Sequence, residues 1–190
     1  MEKIPLILLL LLPFSLLAQK VEFEKRSRYD KLPPAMQESL QALYGQLPKR
    51  AKFYQEYQKE SYSYEAKFRY RGHCHSVEYD AAGQLEDIEV RQKWKKLAPE
   101  IRQPIEQALE QQFKRYRIRK LQLQLTGPEQ DLAQQLQAKK PLIPSAYELI
   151  IKGNDGQSWQ LWEFLFTAEG QILRQEQLIE VDASSWQLDY

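Results

Sequence analysis

The chain has 190 residues, with 27 Lys and Arg against 26 Asp and Glu, a formal net charge of +1 and a single cysteine. That balance argues against a nucleic-acid partner, which shows as a strong basic excess, and one cysteine excludes an internal disulfide framework. The length suits one domain, or two small fused ones, held by an ordinary apolar core.

Met1-Glu-Lys3 leads into a Leu/Ile run from Ile4 to Leu12, which Pro13-Phe-Ser15 breaks before Leu16-Leu-Ala18-Gln19. This is the layout of a secretory signal peptide over 1–19, cut near Ala18 or Gln19. The run is short for a membrane span of about 20 residues, so no stable span is expected once the signal is removed. No cysteine stands at the cut, so the expected address is periplasmic or secreted rather than lipid-anchored. Residues 20–30 are charged without apolar spacing and read as a lead-in, partly disordered.

A first unit, 31–95, opens with Leu32-Pro33-Pro34. Met36, Leu40, Leu43, Tyr44 and Leu47 then form one helical stripe that Pro48 ends. Ala51 to Tyr57 and Tyr62 to Tyr70 read as strands; in the second, Tyr62, Tyr64, Ala66, Phe68 and Tyr70 alternate with polar residues. His73 to Asp80 returns to a Gly83 turn, and Leu85 to about Trp94 completes a meander. A second unit, 96–182, repeats the order: Leu97-Ala-Pro99, a helix through Ile101, Ile105 and Leu109, and strands at Tyr116–Leu125, Tyr147–Lys152, Trp159–Phe166 and Ile172–Val181. Pro104 suggests that this helix starts late. An inserted segment, 128–145, carries a short helix from Glu129 to Ala138, and 183–190 form a tail.

The units overlay in order. Leu32/Leu97, Pro34/Pro99, Met36/Ile101 and Leu40/Ile105 lie 65 apart, Tyr64/Tyr147 lie 83 apart and Gly83/Gly170 lie 87 apart, the offset growing only in loops. That is the signature of a duplication. The expected fold is therefore α+β, a tandem repeat of one helix plus a four-stranded antiparallel meander, with helices on one face of the sheet. The opposite face is left for binding.

The stretches FRYRGHCHSVEYDAAGQLEDIEV and YELIIKGNDGQSWQLWEFLFTAEGQIL resemble PepSY-like proteins of the bacterial periplasm, whose fold is similar to that of the β-lactamase-inhibitor protein. The resemblance covers most of Leu32 to Val181. It implies the tandem fold and protein binding or inhibition, and it brings no catalytic set. The inhibitor's contact residues have no recognisable match in this chain.

His73-Cys74-His75 is the one cluster of metal-ligand types. On a strand His73 and His75 share a face, so a metal or haem could meet both, helped by Glu78 or Asp80. A closed zinc site lacks its remaining ligands. The bland alternative is two exposed histidines around a buried thiol. Glu86-Asp87 and Glu89 could mimic a glycosidase dyad, but adjacent residues on a strand face opposite ways. No nucleophile elbow, phosphate loop or dinucleotide fingerprint appears, so the chain reads as a non-enzyme without a cofactor. The basic runs Lys93–Lys96 and Lys114–Lys120 read as solvated faces rather than polyanion sites. Candidate contacts with a protein or peptide are Tyr62, Tyr64, Tyr70, Trp159, Trp162 and Phe164, which core burial could equally claim. A second function, carriage of a small ligand or metal, rests on His73 and His75.

Overall fold

The computed structural model describes residues 23–58, 61–138 and 140–178. The predicted signal peptide, the end of the last predicted strand and the tail lie outside the described residues. Nine antiparallel strands form one sheet in chain order: β1 (Phe23–Ser27), β2 (Lys52–Gln58), β3 (Ser61–Tyr70), β4 (His73–Tyr79), β5 (Leu85–Arg91), β6 (Arg115–Leu125), β7 (Ala146–Asn154), β8 (Trp159–Thr167) and β9 (Ile172–Leu178). The helices are α1 (Pro34–Tyr44), α2 (Pro99–Gln112) and α3 (Glu129–Gln137).

Part of the expected lead-in is a strand. β1 pairs with β2 from Phe23↔Tyr57 to Ser27↔Phe53. An edge strand needs a ladder on one side only and tolerates charge, so Phe-Glu-Lys-Arg-Ser serves there without an apolar alternation. The second helix also differs from expectation, since α2 runs from Pro99 through Pro104 to Gln112. Proline removes one intrahelical hydrogen bond, but here its ring packs at a corner of the sheet.

Register and contacts place the helices on one face. Across β3, β4 and β5 one parity runs Phe68↔His75↔Val90 and Ala66↔Val77↔Ile88; it continues as Leu125 and Leu123 in β6. Tyr44 of α1 meets Phe68, Tyr70 and His75 on that parity, and Ser39 Oγ lies 3.2 Å from the Tyr79 hydroxyl. In the second half the parity runs Leu123↔Tyr147↔Phe166 and Leu121↔Leu149↔Phe164. Phe113, just past α2, packs on Trp162 and Phe164. Met36, Leu40 and Leu43 of α1, and Ile105 and Leu109 of α2, are fully buried on this side. At about 1.5–3 kcal/mol for each large apolar side chain, this layer is the main favourable contribution to folding.

The two glycine turns are built alike. Gly83 donates its N–H to Asp80 O at 2.9 Å and Gly170 to Thr167 O at 3.0 Å. The side chain at the same place caps each turn, Asp80 Oδ1 accepting from Ala82 and Gln84, and Thr167 Oγ1 accepting from Glu169 and Gln171. Both glycines are left-handed, with φ of 81° and 83°. Each lies under the start of a helix: a Cβ would stand 2.6 Å from Pro33 Cβ at Gly83 and 2.9 Å from Pro104 Cγ at Gly170. A register shift precedes each turn, at Glu78/Tyr79 and at Leu165/Phe166.

The segment between β6 and β7 supplies α3, which lies against α1 with Leu132 and Leu136 buried. Arg71, in the β3–β4 turn, donates to the α3 carbonyls of Leu136, Gln137 and Ala138 at 3.1, 2.8 and 2.5 Å. Gln137 Nε2 in turn donates to Ala42 O and Leu43 O of α1. The last carbonyls of a helix have no partner within it, and these side chains provide one.

Candidate functional site on the open sheet face

The parity pointing away from the helices carries a ladder of charged and amide side chains. In the centre, Glu65 of β3 contacts Lys67 at 2.6 Å and accepts from the Ser76 hydroxyl of β4. Lys67 also reaches Glu24 of β1 at 3.1 Å. Ser76 stands opposite Glu89 of β5, and Glu89 accepts from Gln122 Nε2 of β6 at 2.6 Å. Asp87 accepts from Gln124 at 2.8 Å. Further across, Lys120 meets Glu148 at 3.6 Å, and Arg174 of β9 meets Glu163 of β8 at 3.2 Å. Neighbouring side chains shield one another so well that Glu65 and Glu89 are each only 4% exposed.

Burial sets the protonation of these groups. It pushes the Glu89 carboxyl from its ordinary 4.5 to about 7; Lys120 opposes the shift, while Glu78 and Asp87 reinforce it. Burial likewise takes Asp87 to about 6, against the hydrogen bond from Gln124. At Glu65 burial also favours the neutral form, but Lys67 and the surrounding hydrogen bonds outweigh it and the value falls. Lys120 stays charged because Glu89, Glu148 and Glu65 more than offset its own burial.

A single antiparallel sheet with its helices on one side has counterparts among solved structures. A DUF2874 family protein from Bacteroides ovatus aligns with a TM-score of 0.52 at 14% identity, over 83% of this chain and 98% of that one. A BLIP-like protein from Bacteroides fragilis aligns with a TM-score of 0.51 at 17% identity, over 82% of this chain and 94% of that one. The fold is BLIP-like. A protein from Bacteroides eggerthii, provisionally described as periplasmic, aligns with a TM-score of 0.51 at 14% identity, over 76% and 88% of the two chains. No family model and no curated protein matches the sequence. No helix among the described residues is long and apolar enough to cross a membrane.

Within this BLIP-like sheet the predicted contact residues divide. Tyr62, Tyr64, Tyr70, Trp162 and Phe164 lie on the helix-covered parity, and Trp159 on the open one. Phe164 is fully buried, stacked with Phe166 and edge-on to Phe113, which leaves it no surface for a partner. Trp162 and Tyr70 are half-buried against the core. Tyr62, at 40% exposure, sits at the rim with Tyr57 and Tyr64. Trp159 is also 40% exposed.

His73 and His75 share a face as the strand period requires, but it is the covered one. Their environments differ: His73 is exposed, whereas His75 is 5% exposed and joined through Nδ1 to the Tyr44 hydroxyl at 3.1 Å. Burial, with His73 adding to it, lowers the His75 pKa to about 4. The pair of exposed histidines around a buried thiol is thus corrected: His75 is the buried group and Cys74 is half-exposed. Glu78, by its parity, points away from both imidazoles. Among the described residues, the groups that could gather round a cation are carboxylates, Glu24 with Glu56 and Glu65, and Glu78 with Asp87 and Glu89, their oxygens within 4.8 Å.

The acidic ladder was the feature missed. Asp87 and Glu89 alternate with Ile88 and Val90, and Gln122 and Gln124 with Leu121 and Leu123. Both periods were visible. Their meeting depends on the β5–β6 register, which spans the whole of α2.

Proposed function

We propose that the chain is a non-catalytic binding module, periplasmic or secreted, which holds a protein or peptide through the open face of its sheet. One observation carries this reading. Nine strands present a broad face without a helix over it among the described residues, and its side chains are already fixed by cross-strand hydrogen bonds and ion pairs. Ordered side chains lose less entropy when a partner arrives, which favours recognition. The BLIP-like fold and the provisional description of one neighbour as periplasmic support the same reading, as does the N-terminal signal pattern. The non-catalytic part rests on Glu65, Glu89 and Glu163 each being engaged by Lys, Ser, Gln or Arg. Trp159 is the predicted aromatic contact best placed for such a partner. We also infer that 31–95 and 96–182 are copies of one helix-plus-four-strand unit, a reading that the matched glycine turns support.

Affinity capture from periplasmic extract tests the binding face. The expected partner is retained by the wild type and by Tyr62→Glu, and lost from Tyr54→Glu/Leu165→Arg, which alters the open face. A partner lost from Tyr62→Glu alone would move the site to the rim of the covered face.

A further inference from the structure

One end of the open face departs from the ladder of paired charges. In β6, Arg115, Arg117 and Arg119 are exposed, and Arg117 stands opposite Lys152 of β7. The register shift between Ile118 and Lys120 leaves Arg119 without a partner on β7, adding a cation where the strand bends. Arg115 pairs with Asn154, and Asn154 with Trp159, whose ring lies 5.6 Å from the Arg117 guanidinium. Among the described residues no carboxylate forms an ion pair with Arg115, Arg117, Arg119 or Lys152. One row further in, by contrast, Lys120 is matched to Glu148 and Arg174 to Glu163.

We propose that this corner, built from Arg115, Arg117, Arg119, Lys152 and Trp159, docks a short acidic segment of a polypeptide partner. The proposal rests on the open-face reading and names the chemistry of what that face takes. Charge complementarity selects an anion, because four cations share a small area and, among the described residues, none is ion-paired with an acid. Extent selects a short one. Glu148, Glu163 and Glu176 border the corner, so a long polyanion such as a nucleic acid would have to run across carboxylates. Spacing suits an extended peptide: cations at alternate positions of β6 recur at about 6.6–6.8 Å, the repeat of same-side residues in another strand. Trp159, held beside Arg117, offers an apolar surface between the charges.

The test uses the full chain and a fluorescein-labelled peptide of alternating Glu and Thr, ten residues long, followed by anisotropy. The Glu peptide is expected to bind and to weaken as salt rises from 50 to 200 mM, while its Gln counterpart binds far less. Arg117→Gln/Lys152→Gln should lose about fivefold or more in affinity, the weight of two exposed ion pairs, with circular dichroism unchanged. Lys49→Gln, an exposed cation outside the binding face, should leave peptide binding unaltered, and because the peptide is read directly the corner can stand even if capture through the wider face fails. Three outcomes overturn the proposal. They are no binding to the wild type, equal or tighter binding of a ten-nucleotide oligothymidylate, and binding that appears only in Glu180→Gln/Asp182→Asn/Asp189→Asn. The last would make the chain's own acidic C-terminal sequence the occupant.

Discussion

His75 and Glu89 stand almost back to back. His75 pairs with Val90 on β4 and β5, and Ser76 with Glu89, so the imidazole and the carboxyl occupy adjacent positions on opposite faces of the same two strands. Both are nearly inaccessible, at 5% and 4% exposure. The causes differ. His75 is enclosed by Tyr44, Phe68 and Tyr70 under α1, and aromatic packing excludes water from it. Among the described residues Glu89 has no helix above it; it is shielded by long polar neighbours, with Gln122 bonded to it. One face is therefore buried by tertiary packing, and the other by a layer of its own side chains. The first should be costly to cut into; the second should tolerate change but respond to pH.

The largest test sets Phe164 against its sequence neighbour Leu165. Phe164→Ala removes a fully buried ring between Phe113 and Phe166 and is expected to cost about 3–5 kcal/mol in denaturant unfolding. Leu165→Ala, half-buried on the open face, should cost about 1 kcal/mol or less. Comparable losses would mean that the open face is as tightly packed as the covered one.

The pH test comes next, and its signs are opposed. Glu89 holds a proton more tightly folded than unfolded, so acidification from about pH 7 to 4.5 stabilises the fold, and this gain is lost as the pH rises again. His75 holds one less tightly folded, so acidification from about 6.5 to 4 destabilises it. Each contribution is at most about 3 kcal/mol. Asp87 sides with Glu89. Between pH 6.5 and 4.5 His75 offsets only one of the two carboxyls, so the wild type gains stability on acidification. Glu89→Gln should be more stable than wild type at pH 8, by about 2 kcal/mol, and should change little on acidification, where Asp87 and His75 oppose each other. His75→Gln should gain stability over the same window. Identical slopes in the two variants would refute the assignment of opposite protonation to the two faces.

These contrasts also mark what could be read from the residues alone. The stripes of α1 and α2, the alternation of β3 and the two glycine turns follow from local periods and turn chemistry, and all are present. Parity was legible as well, but not which parity meets the helices. In β8 both parities are apolar, with Trp162, Phe164 and Phe166 on one and Trp159, Leu161 and Leu165 on the other. The register with β7 and the seat of Phe113 decide between them. The tyrosines of β3 share a parity with Ala66 and Phe68 and so lie on the covered face, away from the face left for binding. Strand β1 is not legible because an edge strand made mostly of charged residues shows no period, and its pairing is set by β2 far along the chain.

A smaller effect is expected at the two corners tucked beneath the covered side. Gly83→Ala and Gly170→Ala each force a left-handed side chain against a helix start, and each should cost about 2 kcal/mol. Losses that agree to within about 1 kcal/mol would sharpen the case for two copies of one unit. A tolerated substitution at one corner and a severe loss at the other would break it.

The least costly change lies where the covered layer meets the turn between β3 and β4. Arg71 gives its guanidinium to three carbonyls at the end of α3, and α3 in turn, through Gln137, caps α1. Much of this contact is exposed to water, so each bond is replaceable and the net loss in Arg71→Ala should be only about 1 kcal/mol. Its reach should exceed its size. Amide exchange is expected to rise in α3 and in the last turn of α1, while β4 and β5 keep their protection, because their ladder bonds do not depend on the cap. Exchange that quickened equally in β5 would mean that the helical layer and the sheet open together, and the division into a packed side and a self-shielded side would then describe exposure but not cooperativity.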